Sequence, residues 1–478
     1  MTTDLDHRPI VPPPSLLRLS RAAGHGRPAG PVRILHLGLG SFFRAHQAWY
    51  TDSAPDAADW GIGAFTSTSP HPAHALALQD GLYTLVTRAA HGERLRVVSS
   101  ISAVHAGDEH EAWLGYWADR AVAVATFTVP EAGYARTADG ALDTARADVR
   151  ADLAALRRDP RAPVDTVPAR VVAGLRLRRS AGAGPITLLP CDDRPANGPA
   201  LSRVLLETAD LVDPGLAGWI ATNVSVGSTV VDRIAADADR AAVLAATGLA
   251  DAAPVRTEPF SEWVIAGEFP AGRPAWDEAG AQVVPDVLPF EQRRLWLLHG
   301  TYSLLAYAGG LLGHGTIAAA MSDARVRAWV QAWWDEVAVH LPLPADSLAA
   351  YRRALAERFA DPDLRRPLAE LAADGGRSLP EQVLPVLRAE LAAGRVPRGA
   401  CTTVAAWVLH RRGRGTPAAG SRAERAAGGP AERVTAPAGG SLAEAVHGVL
   451  ARLGPDLDRE PLATAVLDRA RLLLDLSV

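Results

Sequence analysis

The chain has 478 residues, of which 48% are hydrophobic and 21% charged, and this length is sufficient for two or three domains with separate cores. Its formal net charge is −4, which excludes the global attraction to nucleic acid or to membrane surfaces that a strongly basic chain shows. Two cysteines give no disulfide framework and are typical of a reducing compartment, so we expect a cytoplasmic protein.

The first 30 residues are predicted to form a flexible N-terminal segment. They combine several prolines with acidic residues at Asp4 and Asp6, and they lack the apolar core of a signal peptide. No apolar run elsewhere in the chain is long enough to cross a bilayer. Neither nucleic acid nor a membrane is therefore an expected partner.

A buried strand is predicted over Val32–Leu37, a short, mostly apolar run that ends at a tight turn. In this turn, Gly38 and Gly40 fit the first two glycines of a dinucleotide fingerprint. The first glycine permits the turn, and the second lets a pyrophosphate approach the backbone. Phe43 stands where the third glycine would fall, and an ordinary strand-to-helix turn is the alternative interpretation. The candidate cofactor-binding residues are Gly38, Gly40, Phe42 and Arg44.

Further strands are predicted at residues 61–65, 82–86, 121–126 and 185–189, with helices at 148–157 and 200–209 between some of them. This alternation favours an α/β fold with a mostly parallel sheet. The second strand is followed by Thr66-Ser67-Thr68 and not by Asp or Glu. The carboxylate that usually selects NAD over NADP is therefore not visible.

The remainder of the chain is predicted to be helical. Helices are expected at residues 291–312, 326–340, 347–359 and 380–393. Residues 413–440 are rich in Gly, Ala, Pro and Arg, which predicts a mobile loop. A capping box of Ser441 and Glu444 then starts another helix.

Several motifs occur in one order between residues 32 and 410. They are Gly38-Leu39-Gly40-Ser41-Phe42-Phe43-Arg44-Ala45-His46, Gln79-Asp80-Gly81-Leu82-Tyr83, Thr128-Val129-Pro130-Glu131-Ala132-Gly133-Tyr134, Cys191-Asp192-Asp193, Val231-Asp232-Arg233-Ile234, Glu258-Pro259-Phe260 and Glu357-Arg358-Phe359. This series resembles the mannitol dehydrogenase family, which includes polyol dehydrogenases and hexuronate reductases. The resemblance implies an α/β fold with a Rossmann-type dinucleotide-binding domain at residues 31–285 and a mostly α-helical substrate domain at 286–478. It also implies a substrate cleft between the domains and no metal.

The segment from Glu291 to Ser303 resembles the family's catalytic helix, which has Lys, four residues, Asn, two residues and His. The same spacing here gives Arg294, His299 and Tyr302. Asp193 stands where the family has a second asparagine. In the family the lysine is the general base, and the two asparagines form an oxyanion hole. Three further positions match substrate-cleft or proton-path residues: Asp232, Arg273 and Glu291.

These catalytic positions are substituted, and all 49 Lys and Arg residues of the chain are arginine. Arginine cannot accept a proton near neutral pH because its pKa lies above about 12. An ionised Asp193 would repel an alkoxide where an amide would stabilise it.

Three interpretations of these positions stay open. In the first, the acid/base role has moved to His299, since a histidine ordinarily titrates near roughly 6.5. Tyr302 would then hydrogen-bond the substrate, and Arg294 would neutralise the alkoxide or anchor an anionic group. In the second, the site has decayed and binds nucleotide or sugar without turnover. In the third, Arg294 merely pairs with Glu291, and the other two side chains are packing residues.

The sequence thus predicts an NAD(P)-dependent oxidoreductase acting on the secondary alcohol of a linear polyol, or on the matching ketose. The alternative is an altered or inactive family member that binds nucleotide or sugar only. The expected cofactor is NAD, with NADP not excluded, and the expected partner is a small polyol or ketose. Monomer and homo-oligomer both stay open.

Overall fold

The computed structural model describes residues 17–67, 69–89, 92–361, 367–373, 375–415 and 440–477. The chain divides into two compact units, the first ending at Val287 and the second beginning at Leu288. Most of the predicted mobile loop, residues 416–439, lies outside the described residues, as do residues 1–16 of the predicted flexible segment. Within the described part, no helix combines the length and apolarity that a membrane span requires.

The first unit is built on a six-stranded sheet with the order β5-β2-β1-β6-β7-β8. Its strands are β1 Val32–Leu37, β2 Gly61–Phe65, β5 Ile101–His105, β6 Val124–Phe127, β7 Ile186–Pro190 and β8 Val224–Val226. All neighbouring pairs in this sheet are parallel. Strands β2 and β7 are buried along their whole length, because helices cover both faces. The predicted Rossmann-type arrangement is confirmed.

Nine helices of this unit are described: α1 Ser41–Ala45, α2 Gln47–Ser53, α3 His71–Ala77, α4 His110–Ala118, α5 Ala147–Arg158, α6 Val167–Ala181, α7 Asn197–Val212, α8 Pro214–Asn223 and α9 Arg240–Thr247. Two large apolar clusters fill the unit, one with Trp113 and Trp117 of α4 and one with Trp263 and Trp276.

Two smaller sheets were not predicted. One has the order β10-β11-β3-β4 and the other the order β13-β12-β9. Their strands are β3 Tyr83–Ala89, β4 Gly92–Val98, β9 Ser228–Asp232, β10 Ala235–Asp237, β11 Val255–Thr257, β12 Glu262–Ala266 and β13 Gln282–Val283. The predicted strand at residues 82–86 lies in the first of these sheets, antiparallel to β4. Local alternation predicts a strand but does not say which sheet it joins.

The described residues of the second unit are mainly helical. Its helices are α10 Leu288–Arg293, α11 Gly300–Leu304, α12 Ile317–Ser322, α13 Ala324–Ala338, α14 Ala345–Ala360, α15 Leu368–Ala372, α16 Gly375–Gln382, α17 Leu384–Ala392, α18 Arg398–Arg411, α19 Leu442–Leu453 and α20 Leu462–Leu476. Two π-helical segments, Arg294–His299 and Leu305–Gly309, adjoin α11.

Two helix predictions in this unit can be compared directly. The capping box is confirmed, because Ser441 and Glu444 exchange side-chain and backbone hydrogen bonds at the start of α19. The single helix predicted over residues 380–393 is wrong. Two helices, α16 and α17, meet at Val383, because Pro385 lacks the N–H that a continuous helix needs and restricts the residue before it.

Candidate functional site

The turn after β1 requires glycine at its first position. Gly38 has φ of +118°, and a Cβ atom there would overlap the carbonyl oxygen of Thr128. The backbone N–H groups of Gly38 and Leu39 donate to the carbonyl oxygen of Phe65, at 2.9 and 3.1 Å. The turn is therefore fixed against the carboxyl ends of β2 and β6.

Gly40 fits a different requirement. A Cβ atom built there would have its nearest neighbour at 3.8 Å, the carbonyl oxygen of Gly38, so the position faces open space. Gly40 is exposed and immediately precedes α1. A phosphate group can approach the backbone here, and a larger side chain would occupy that space. The residues of this turn fit a bound dinucleotide.

His36 supports the turn, although its role was not predicted. Its Nε2 atom lies 3.1 Å from the carbonyl oxygen of Gly38 and 3.0 Å from Oγ1 of Thr128, and its Nδ1 atom lies 2.7 Å from Oγ1 of Thr126. Burial lowers the pKa of His36 to about 3, so the ring is neutral. The ring stacks on Phe43 with centroids 3.5 Å apart. This aromatic pair occupies the helix–strand contact where the fingerprint has its third glycine. A histidine among the buried apolar residues in the second half of β1 was the available signal.

Phe42 and Arg44 lie in α1, which follows the turn directly. Arg44 is 4% exposed, and its Nε atom donates to the carbonyl oxygen of Gly40 at 3.3 Å. Its guanidinium also bonds Asp237 at 3.3 Å. Phe42 stacks on His46 with centroids 5.0 Å apart. The bond from Arg44 to the Gly40 carbonyl oxygen holds the backbone of the turn.

Asp193 lies in the turn that follows β7. The hydroxyl of Tyr134 donates to the carboxylate of Asp192, and Arg194 forms an ion pair with Glu131. Two of the recognised motifs are thus joined through their side chains. Burial raises the pKa of Asp192 to about 6, although the hydrogen bond from Tyr134 opposes this shift. These bonds fix the residues on both sides of Asp193.

The predicted substrate residues of the first unit have different surroundings. Asp232 ends β9 and is paired across the strands with Glu262 of β12, and both are buried. Arg273 forms an ion pair with Asp277 at 2.6 Å and donates to the carbonyl oxygen of Pro274 at 2.9 Å. The hydrogen bond from Arg273 lowers the pKa of the Asp277 carboxylate. Arg273 is therefore held within its own loop.

The helix predicted to be catalytic has a π-helical geometry over Arg294–His299. A π-helix joins residues i and i+5 by hydrogen bonds, so Arg294 and His299 lie one turn apart on the same side. In an α-helix of 3.6 residues per turn, five residues would separate them by roughly 140°. Both side chains are half-buried, whereas Leu297 and Leu298 between them are buried. The π segment brings together two positions that a regular α-helix would separate.

Indole N–H groups support this segment. Nε1 of Trp333 donates to the carbonyl oxygen of Trp296 at 2.9 Å, and Nε1 of Trp334 donates to Oγ1 of Thr301 at 2.8 Å. A Cβ atom on Gly300 would lie 2.7 Å from the Trp333 ring, so the two helices pack closely there. The irregular backbone is stabilised by packing and by added hydrogen-bond donors.

The other polar side chains of this helix lie in different surroundings. Arg293 is buried, with its guanidinium 4.1 Å from the ring centroid of Tyr351 and 5.0 Å from that of Phe290. His299 and Tyr302 have ring centroids 6.1 Å apart. Glu291 lies in α10 and is half-buried, one helical turn before Arg294. The structure therefore places the rings of His299 and Tyr302 near one another, while the guanidinium of Arg293 packs on aromatic rings.

Residues 32–278 match the family model of the mannitol dehydrogenase Rossmann domain, and residues 286–424 match that of the mannitol dehydrogenase C-terminal domain. The chain is 34% identical to a mannitol 2-dehydrogenase of Cereibacter sphaeroides, over 78% of this chain and 80% of the relative. It is 36% identical to D-mannonate oxidoreductase of Escherichia coli, over 80% of each chain. The structure resembles Pseudomonas fluorescens mannitol 2-dehydrogenase in ternary complex with NAD and D-mannitol, with 30% identity, a TM-score of 0.71 and coverage of 96% of this chain and 94% of that one. The chain belongs to the mannitol dehydrogenase family of oxidoreductases.

Proposed function

We propose that the chain is an NAD-dependent oxidoreductase acting on the secondary alcohol of a linear polyol or on the matching ketose, with His299 as the acid/base. The π-helical segment carries this proposal, because it presents Arg294 and His299 on one side of the helix. Two groups so placed can act on one substrate oxygen. Family membership supports the hydride-transfer reaction and the polyol class.

The cofactor is NAD, held at the turn from Gly38 to Arg44, where the open space at Gly40 admits a pyrophosphate. When bound there, NAD would supply the hydride acceptor for oxidation of the alcohol. The protein's own contribution at the turn is rigid backbone. His36 and Thr128 both bond the Gly38 carbonyl oxygen, which fixes the turn before any ligand arrives.

Each side chain of the catalytic helix has one role. Neutral His299 accepts the hydroxyl proton of the alcohol, and protonated His299 returns it when a ketose is reduced. The guanidinium of Arg294 stays charged and stabilises negative charge on the substrate oxygen. The ring of Tyr302 lies 6.1 Å from that of His299. Its hydroxyl donates a hydrogen bond to a neighbouring substrate hydroxyl or accepts one from it.

A second candidate function is binding of nucleotide or sugar without turnover. The observation that favours it is the joint loss of the family's lysine and of both oxyanion amides, with the anionic Asp193 in one amide position. Titration of NADH by fluorescence, followed by absorbance assays with a panel of polyols and ketoses, separates the two functions. Turnover of any substrate in the panel supports the enzyme, and NADH binding without turnover supports the binding protein.

Replacing Gly40 by valine is expected to weaken NADH binding by about 100-fold or to abolish it, because the side chain fills the space needed by the pyrophosphate. Gly218→Val is the control, since that glycine lies on α8 with nothing near its Cβ position. Isothermal titration calorimetry measures the NADH affinity of variants whose thermal stability matches that of the unaltered chain. An unaltered NADH affinity in folded Gly40→Val contradicts the assignment of this turn.

Replacing His299 by alanine is expected to lower kcat for alcohol oxidation by roughly 10²–10⁴-fold, the usual contribution of a general base. In the unaltered chain the rate should rise with pH through the range in which a histidine loses its proton, near roughly 6.5. That rise should disappear in the variant. His314→Ala, which removes one of the two ion-pair partners of Asp323, is the control. An enzyme whose rate and pH profile survive His299→Ala has its base elsewhere.

A further inference from the structure

The adenosine end of the cofactor site lacks its usual discriminating residue. NADP differs from NAD by a phosphate on the adenosine ribose, and a Rossmann domain usually distinguishes the two with a carboxylate that closes the second strand. Here that strand is β2, and Thr66 and Ser67 follow it. A carboxylate with this role must therefore come from a neighbouring element at the same edge of the sheet.

The loop after β5 lies at that edge. Phe65 of β2 is in parallel register with His105 of β5, so both strands end side by side. The N–H of Gly107 donates to Oγ1 of Thr66 at 2.9 Å, and the N–H of Thr66 donates to the carbonyl oxygen of His105 at 3.1 Å. A Cβ atom on Gly107 would lie 2.7 Å from the carbonyl oxygen of Thr66, so the two loops are in direct backbone contact.

This edge continues into the phosphate-binding turn. The carbonyl oxygen of Phe65 accepts the N–H groups of Gly38 and Leu39. The turn, the end of β2 and the end of β5 therefore follow one another along the carboxyl edge of the sheet. A dinucleotide with its pyrophosphate at Gly40 extends its adenosine along this edge in a Rossmann domain.

Glu109 holds a carboxylate at the end of β5. One carboxylate oxygen accepts the N–H of Ala106 at 2.7 Å, and the other accepts Nδ1–H of His105 at 2.7 Å. Nε2 of His105 then accepts the hydroxyl of Tyr116 at 3.2 Å, and the imidazole ring stacks on Phe65 with centroids 4.6 Å apart. These bonds fix the carboxylate in place.

The charge and exposure of Glu109 suit a ligand contact. Burial alone would raise its pKa, but the hydrogen bonds from His105 and from the Ala106 N–H outweigh it, and the pKa lies below its ordinary value. The carboxylate is therefore ionised at neutral pH. Its side chain is 48% exposed, and a carboxylate has about four acceptor sites, of which these two bonds use half.

We propose that Glu109 selects NAD over NADP by accepting a hydrogen bond from the adenosine ribose and by repelling a ribose phosphate. The inference rests on the proposed function and extends it to the choice of cofactor. His74 of α3 also acts electrostatically on Glu109. In Glu109→Gln, the charge repulsion between this side chain and a ribose phosphate is lost.

The test is titration of NADH and of NADPH, followed by nicotinamide fluorescence, into the unaltered chain, Glu109→Gln and Asp108→Asn. Glutamine keeps the length of the side chain and an oxygen that accepts the Ala106 N–H, and its amide N–H can donate to Nδ1 of His105, so the loop should keep its shape. The unaltered chain should prefer NADH. Glu109→Gln should shift the ratio of the two Kd values toward NADPH by about tenfold or more. Asp108→Asn removes the same charge one residue away and should shift it by less than about threefold.

Each other outcome overturns the assignment of Glu109. Provided that NADH still binds, three results overturn it. They are an unchanged ratio of Kd values in folded Glu109→Gln, a preference of the unaltered chain for NADPH, and an equal shift of the ratio in Asp108→Asn. If the unaltered chain binds neither dinucleotide, the proposed function fails together with the inference. The two failures are therefore distinguishable by NADH binding to the unaltered chain.

Discussion

Restoring the four family residues is expected to create mannitol-type polyol oxidation with NAD, at a rate roughly 10²-fold or more above that of the unaltered chain. The variant combines Arg294→Lys, His299→Asn, Tyr302→His and Asp193→Asn. It supplies a base that can lose its proton, two amide donors for the substrate oxygen and a substrate-holding histidine. Any activity that depends on His299 should fall at the same time. Absorbance of NADH with a panel of polyols measures both changes.

Partial restoration is the informative control. Single replacements should achieve little, because groups that act as a unit are strongly non-additive. The triple variant that keeps Asp193 lacks the family's second amide donor and should remain weak. Arg293→Lys, at the buried neighbour stacked on Tyr351, introduces a lysine without the family spacing. A folded quadruple variant that binds NADH but oxidises no polyol would show that the substrate site differs at further positions.

The second large effect concerns acid stability. Burial lowers the pKa of His36 and of His46 to about 3, against 6.5 for an ordinary histidine. A depressed pKa contributes stability that is fully present above 6.5 and is lost as pH falls toward 3, because the unfolded chain binds the protons first. Each histidine accounts for a loss of up to about 5 kcal/mol over this range, at about 1.36 kcal/mol per pKa unit.

Urea unfolding between pH 7.5 and pH 4 tests this expectation. His36→Gln should lower stability at pH 7.5, since it disturbs the bonds to Thr126 and to the Gly38 turn, but it should flatten the dependence on pH. His447→Gln, on the exposed face of α19, is the control for removing an imidazole. An equally steep acid loss in His36→Gln would mean that this ring is not the group that titrates.

Local sequence was sufficient to predict several structural features of this protein. The strand Val32–Leu37 and the turn at Gly38 were identified from a short apolar run and from glycines, and the structure has the same strand bounds and a positive φ at Gly38. The capping box at Ser441 likewise needs only residues close together in the chain. The ordered motifs identified the family. Such features are predictable because their physical causes, steric restriction and short-range hydrogen bonding, act over a few residues.

Tertiary structure decided the rest. Whether residues 83–89 join the parallel sheet depends on partners far along the chain, and they pair instead with β4 and β11. The π-helical segment that brings Arg294 and His299 to one side is accompanied by indole donors from α13, which the helix's own sequence does not contain. His36 acquires its role only because the fold brings Thr126 of β6, and Thr128 just after that strand, next to β1. In each case, groups distant in sequence supply the hydrogen bonds and contacts, and only the folded chain brings them within reach.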